Sequence, residues 1–340
     1  MAAEPLVAIA PAAGNHTHIV DLPEFPAPTS TKDIDATAVI QQWLQNFEEV
    51  LSIGDASRLK EVLHEECWWR DALALTWDLR TLHGLDKVRG MLDGKLEKLE
   101  PAFSNLQIRS TPHITPKLST LSPSLQWVES LFTFDTTIGR GRGFIRLTQD
   151  EQGAWKAYMV YTALYDIKGH KEAAGQNRPH GGKNQLEGGI IKGNWLERRE
   201  RAKEFLDDEP TVLVVGAGQA GLAIGARLQT LGVSCLLIDR NARIGDNWRH
   251  RYRTLVTHDP VHTCHLPYIP FPTTWPFFTP KDKLADFFEA YASLMELNVW
   301  LQTSITSSKW DSSTGTWTIT LTRANEDGET RTFHPKHVIF

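Results

Sequence analysis

The sequence is poor in cysteine: Cys67, Cys235 and Cys264 are all it has in 340 residues, and no two form a CxxC pair. Three scattered thiols exclude a disulfide framework and suit a reducing compartment. Charge of either sign is not in large excess. The net value of −5 offers no electrostatic reason to expect nucleic acid or an anionic membrane as partner. No apolar run approaches the length needed to span a bilayer. The opening "MAAEPLVAIAPAAGNHTHIVDLP" lacks both a basic start and a continuous apolar core, so it does not read as a signal peptide. Asn15-His16-Thr17 fits a glycosylation pattern that carries no weight without secretion. Together these absences point to a cytoplasmic, soluble protein with a small-molecule substrate, and they leave the oligomeric state open.

What is present divides into domains. Residues 1–33 are rich in Ala and Pro and are expected to lie extended. From 34 to 170 helical periodicity comes first. Trp43, Phe47, Val50 and Leu51 give one stripe, and Asp55 is placed to cap a second helix, "ASRLKEVLH". Aromatic and β-branched segments follow, among them "CWWRDALALTW", "LQWVESLFTF", "GFIRLTQ" and "AWKAYMVYTALYDI". Helices followed by long strands predict an α+β domain whose sheet closes over them. "IGRGRGF" (138–144) reads as a Gly-rich hairpin turn, not as an RNA-binding repeat. Residues 171–208 are a linker and a connector. "GQNRPHGGKNQLEGG" (175–189) has little to bury and predicts a mobile link, and Asn194 is placed to cap a charged helix after it.

Residues 209–340 carry the chemistry. In "TVLVVGAGQAGLAIGARLQTLGVSCLLIDR" an apolar strand leads into Gly216-Ala217-Gly218-Gln219-Ala220-Gly221, a helix, a second strand, and the acid Asp239 before Arg240. The pattern is the dinucleotide fingerprint of a Rossmann-type α/β fold. Gly216 permits a tight turn, Gly218 lets a pyrophosphate approach the backbone, and Gly221 lets helix and strand come together. The helix N-terminus offers unpaired N–H groups, and Asp239 would accept from ribose hydroxyls while repelling a 2′-phosphate. The first nucleotide is therefore FAD or NAD.

The stretch after Asp239 resembles the flavin-containing monooxygenases and their Baeyer–Villiger and YUCCA relatives. Gly245-Asp246-Asn247-Trp248, then Arg251-Tyr252, then Ile269-Pro270-Phe271-Pro272 carry the likeness. It implies FAD across the sheet edge with Asn247 and Trp248 near the flavin, and His258 at about the place where simple members have an Asn. It also implies NADPH as electron donor. His258, His262, Cys264 and His265 match no zinc spacing, and no metal is expected.

Further on, "TPKDKLADFFEAYASLMEL" predicts a helix, "NVWLQTSI" a third parallel strand, and "SKWDSSTGTWTITLTRANEDGETRTF" a β-meander. His337–Phe340 then reads as one more parallel strand beside the first. The resemblance expects an Ala-Thr-Gly turn, an FxGxxxH segment and a second GxGxxG domain to come after it. None stands in these residues, so the FAD module is expected to be truncated and to lack the NADPH domain.

Residues 36–168 resemble a SnoaL-like α+β cone, a domain that precedes the FAD module in some flavin monooxygenases of secondary metabolism. The resemblance makes Asp71, Asp78 and His83 candidates for acid–base work. The alternative is that Trp68, Trp69 and Trp77 line a core or an interface, with Arg70 and Asp71 paired. Three functions stand at this point: an FAD-dependent monooxygenase, an inactive flavin-binding fragment, or an isomerase or cyclase with an accessory nucleotide domain.

Overall fold

The computed structural model describes residue 25 and residues 33–92, 103–122, 125–179, 193–324 and 328–340. Nearly all of the expected extended N-terminal segment and most of the expected mobile link lie outside them. The chain divides into two compact units, Met1–Gly169 and His170–Phe340.

In the N-terminal unit, Asp35 caps helix α1 (Ala36–Ile53) by accepting from the N–H groups of Thr37 and Ala38 at 3.0 and 3.1 Å. Gly54 closes the helix in the left-handed region at φ 78°. Ile40, Trp43, Leu44, Phe47, Val50 and Leu51 form its buried face. The second helix expected over "ASRLKEVLH" is only a 3-10 turn, Ala56–Glu61, capped by Asp55. Leu63 and His64 instead begin strand β1 (Leu63–Ala72), because Leu63 pairs with Ala157 and is buried there.

Strands β2 (Leu79–His83), β3 (Ser104–Arg109), β4 (Lys117–Ser122), β5 (Leu125–Asp135), β6 (Gly139–Gln149) and β7 (Trp155–Ile167) complete a seven-stranded sheet. Its order is β2-β1-β7-β6-β5-β3, with β4 also on β5, and only the β1–β7 pair is parallel. Helix α1 and helix α2 (Leu85–Leu92) bury their apolar faces in the same core as the sheet.

The glycines of "IGRGRGF" correct the expected hairpin. The turn is Thr136–Ile138, closed by the Thr136 N–H donating to Gly139 O at 2.8 Å, and the glycines lie in β6. Gly141 stands opposite Phe134 and Gly143 opposite Phe132. A Cβ at either position would fall within 2.2 Å of the facing ring. These glycines make room for phenylalanine in a core that also holds Trp69 and Phe103.

The expected Arg70–Asp71 pair does not form, because consecutive strand residues point to opposite faces. Arg70 donates to Thr81 Oγ1 at 2.9 Å. Asp71 is fully buried and accepts from Thr162 Oγ1 at 2.6 Å and from the N–H groups of Leu75 and Thr76 at 3.0 and 3.3 Å. Trp69 Nε1 donates to the same Thr162 hydroxyl at 2.9 Å. Asp78 is exposed beside Arg80, while His83 stacks on Trp68 at 4.2 Å and meets Glu66 at 3.0 Å. The three acid–base candidates therefore do not converge. Trp69 is core, and Trp77 is exposed.

His64 gives this unit a pH dependence. Burial depresses its pKa below the ordinary 6.5, as does the nearby Lys156 charge, and Nε2 lies 2.7 Å from Thr148 Oγ1. The unfolded chain takes up this proton first as pH falls, so the stability contribution is complete above about pH 6.5 and is lost as pH drops through the lower, folded value. Urea titrations should show that acid-side loss in the native chain and a smaller one in His64→Gln.

In the C-terminal unit, Asn194 and Glu197 form a reciprocal capping box at the start of helix α3 (Trp195–Lys203). Strands β8 (Val212–Val215), β9 (Cys235–Ile238), β10 (Val299–Trp300) and β14 (His337–Ile339) form a parallel sheet in the order β10-β9-β8-β14. Helix α4 (Gln219–Thr230) follows β8, the single turn α5 (Asp246–Arg249) follows β9, and helix α6 (Lys281–Leu294) precedes β10. A separate antiparallel meander comprises β11 (Thr303–Asp311), β12 (Thr316–Arg323) and β13 (Thr330–Phe333).

The single strand expected over "NVWLQTSI" is broken in two. Gln302 adopts φ 49° after only two parallel residues, and Thr303 then starts the meander. The break serves the end of β9: Gln302 N–H donates to Asn241 O and Thr303 N–H to Asp239 O, at 3.0 and 2.9 Å.

Candidate functional site

Strand order reverses at β8, which has β9 on one side and β14, reached last in the chain, on the other. In open parallel sheets ligands bind beyond the strand C-termini at such a point. The glycine turn lies there. Gly216 takes φ +103°, a value that side chains resist, and its N–H donates to Ile238 O at 2.7 Å. A Cβ at Gly221 would sit 1.9 Å from Gly216 O, so α4 touches the turn through backbone alone. A Cβ at Gly218 would come within 3.2 Å of Asn247 Nδ2.

Helix α4 presents its first N–H groups, at Gln219, Ala220 and Gly221, ahead of the first intrahelical bond, Leu222 N–H to Gly218 O. Asp239 braces the same turn. One carboxylate oxygen accepts from Ala217 N–H and the other from Asn241 N–H, both at 2.8 Å. Each oxygen keeps a further lone pair for a ligand hydroxyl.

Two cavities flank this turn. The first, about 600 Å³, is lined by Gly216, Gly218, Asp239, Arg240 and Asn247 together with Asn241 and Thr303–Ile305. The second, about 680 Å³, is lined by Gln219, Ala220, Trp248 and His258, with Arg251, Tyr252, Cys264 and Phe288 among the rest. The sequence-derived candidates thus separate into two groups on either side of α4's N-terminus. Ala217 and Gly221 are buried between strand and helix. The side chain of His258 is 96% exposed, with Asp259 at 3.7 Å.

Among the described residues no group of three or more His, Cys, Asp or Glu is arranged to hold a metal ion. His262 packs on Phe277 and His265 on Phe271. Among the described residues no helix is long and apolar enough to cross a membrane.

Sequence reading missed Asn241 and Thr303–Ile305. Asn241 lies there directly after β9, whereas Thr303–Ile305 reach the cavity because the break at Gln302 returns the chain to the end of β9, and no local pattern announces that.

Comparison with known proteins gives three results. Residues 214–280 match the NAD(P)-binding Rossmann-like domain. The chain is 34% identical over 113 residues to indole-3-pyruvate monooxygenase YUCCA1 of Oryza sativa subsp. japonica, across 33% of this chain and 28% of that protein. It is also 34% identical over 118 residues to probable indole-3-pyruvate monooxygenase YUCCA9 of Arabidopsis thaliana, across 34% of this chain and 27% of that one. The matched stretch is thus under a third of either relative's length. A flavin-containing monooxygenase structure from Stenotrophomonas maltophilia aligns at 22% identity over 37% of this chain and 36% of that one, with a TM-score of 0.33. The resemblance to flavin-dependent monooxygenases is shown over about a third of the chain, and the C-terminal unit contains a Rossmann-like nucleotide-binding domain. The expected absence of an NADPH domain gains no support from these matches.

Proposed function

We propose that the C-terminal unit binds FAD and that the protein acts as an FAD-dependent monooxygenase, oxygenating a small organic metabolite with electrons from NADPH. The observation that carries this reading is the pair of cavities on either side of one glycine turn, which suits an elongated dinucleotide. The donor set fits such a ligand. Asp239 offers lone pairs to the ribose, and the N–H groups at the start of α4 face a pyrophosphate with the positive end of the helix dipole. Trp248, Tyr252 and Phe288 give the second cavity apolar surface for a planar ring system. Bound flavin would supply the redox and oxygen chemistry, and the protein's part is to bind, orient and exclude water.

The N-terminal unit supports the reading of a SnoaL-like domain in its helices packed on one face of a largely antiparallel sheet. Its Asp71 is buried and already accepts from three donors, which favours a scaffold over an isomerase or cyclase site. A cytoplasmic setting and a role in secondary metabolism belong to the same proposal.

Purified protein titrated with FAD, NAD and NADP, followed by flavin absorption and NADPH consumption, tests it. Tight equimolar flavin with NADPH oxidation is the expected result. Flavin uptake without turnover would reduce the reading to a flavin-binding unit. Saturable NAD binding with refusal of flavin would overturn it.

A further inference from the structure

One turn of chain touches both cavities. Asn247 lines the first and Trp248 the second, and both stand on α5. A four-residue helix has no cooperativity of its own to hold it in place. Its position must come from what lies beneath, and there the Arg249 guanidinium meets three carboxylates.

The Arg249 side chain is only 14% exposed. Its Nη1 donates to Ile244 O at 2.8 Å and to Asp246 Oδ1 at 3.1 Å, both on its own loop. Its Nη2 reaches across to α6, to Asp286 Oδ1 at 2.9 Å and Glu289 Oε2 at 3.1 Å. The other Asp246 oxygen accepts from Arg243 N–H at 3.1 Å, and Glu289 takes both Arg243 Nε and Nη2 at 2.9 Å. Lys281, itself buried, donates to Arg249 O at 2.8 Å. Gly245 completes the fit. In the left-handed region at φ +87°, it lies so close to α6 that a Cβ would meet the Ala285 backbone at 2.7 Å.

We propose that Arg249 is a positioning residue for the dinucleotide: its planar fork staples α5 to α6 and so sets Asn247 and Trp248 against the two halves of the ligand. Neither Arg249 nor Asp246, Asp286 or Glu289 lines either of these two cavities, so the effect is exerted through the two residues that do. A guanidinium is needed because donors must leave in two directions from one plane, toward the loop and toward α6, which a lysine ammonium on a flexible stem does not reproduce. This inference rests on the FAD reading above.

The test is FAD affinity of the full chain in a mutant cycle. Arg249→Ala is expected to weaken FAD binding roughly tenfold or more, about 1.4 kcal/mol, and Arg249→Lys to restore part of it. The discriminating step repeats Arg249→Ala in an Asn247→Ala/Trp248→Phe background. If Arg249 acts through those residues, its substitution there adds little further loss. Equal losses in both backgrounds, or an unchanged FAD affinity with only a lowered melting temperature, would make Arg249 merely structural and overturn the proposal. Should Arg249→Ala fail to fold, Arg249→Lys and Asp286→Asn, the latter at an exposed carboxylate, carry the same cycle. Wild-type protein that takes no FAD would sink the functional reading, and this inference with it. Wild-type binding with unaffected variants would sink the inference alone.

Discussion

Gly221→Ala is expected to abolish dinucleotide binding while Gly225→Ala, one helical turn later, keeps it. The two substitutions add the same methyl group to the same helix, and only the neighbour differs. At Gly221 the new Cβ would stand 1.9 Å from Gly216 O, a backbone atom of the turn itself. No rotamer relieves that overlap, so α4 must move away from β8 or the turn must open. Either change displaces the N–H groups that would face the pyrophosphate. At Gly225 the Cβ meets Leu237 Cδ1 at 2.8 Å and Cδ2 at 3.1 Å, side-chain atoms whose shift leaves the glycine turn in place. Overpacking of this kind costs about 1–3 kcal/mol where the core can adapt and more where it cannot. Flavin titration should show a loss beyond roughly a hundredfold for Gly221→Ala, about 2.7 kcal/mol. A Gly221→Ala protein with native flavin affinity would mean that the helix start and the turn are not the ligand's cradle.

Gly143→Ala is expected to be strongly destabilising to the N-terminal unit. Its Cβ would lie 2.1 Å from Cζ of Phe132, directly across the β5–β6 ladder. Phe132 is fully buried, so the ring has no empty space to enter. Removing the ring should repair the clash: Phe132→Ala alone costs about 3–5 kcal/mol, but combined with Gly143→Ala the total should fall well below the sum of the two singles. Urea unfolding followed by near-UV circular dichroism of the buried tryptophan Trp69 would measure this. Strict additivity would show that the glycine is not there to accommodate the ring.

These two glycines also mark the limits of sequence reading. The role of Gly221 is legible because the fingerprint couples spacing to a known close approach. That of Gly143 is not, since in "IGRGRGF" the glycines look like punctuation, and only strand register reveals Phe132 and Phe134 opposite them. The same holds for "ASRLKEVLH". Helical spacing and a capping Asp55 are present locally, yet Leu63 is claimed by β7 and becomes a strand. Arg249 gave no local sign at all. Its partners Asp286 and Glu289 lie on a helix whose apolar face was plain in the sequence but whose docking against α5 was not.

By itself the sequence determined the nucleotide turn, the acid at the end of the second strand, the apolar stripes of the long helices and the parallel strand at His337. Each depends on interactions within a few residues or on a backbone conformation that a single residue type permits. Tertiary structure alone decided that the candidate residues separate into two cavities, that Thr303–Ile305 return to the end of β9, and that Asp71 is a satisfied core carboxylate apart from Asp78 and His83. Those facts follow from strand register and from buried groups finding partners far along the chain, which local residue order does not encode.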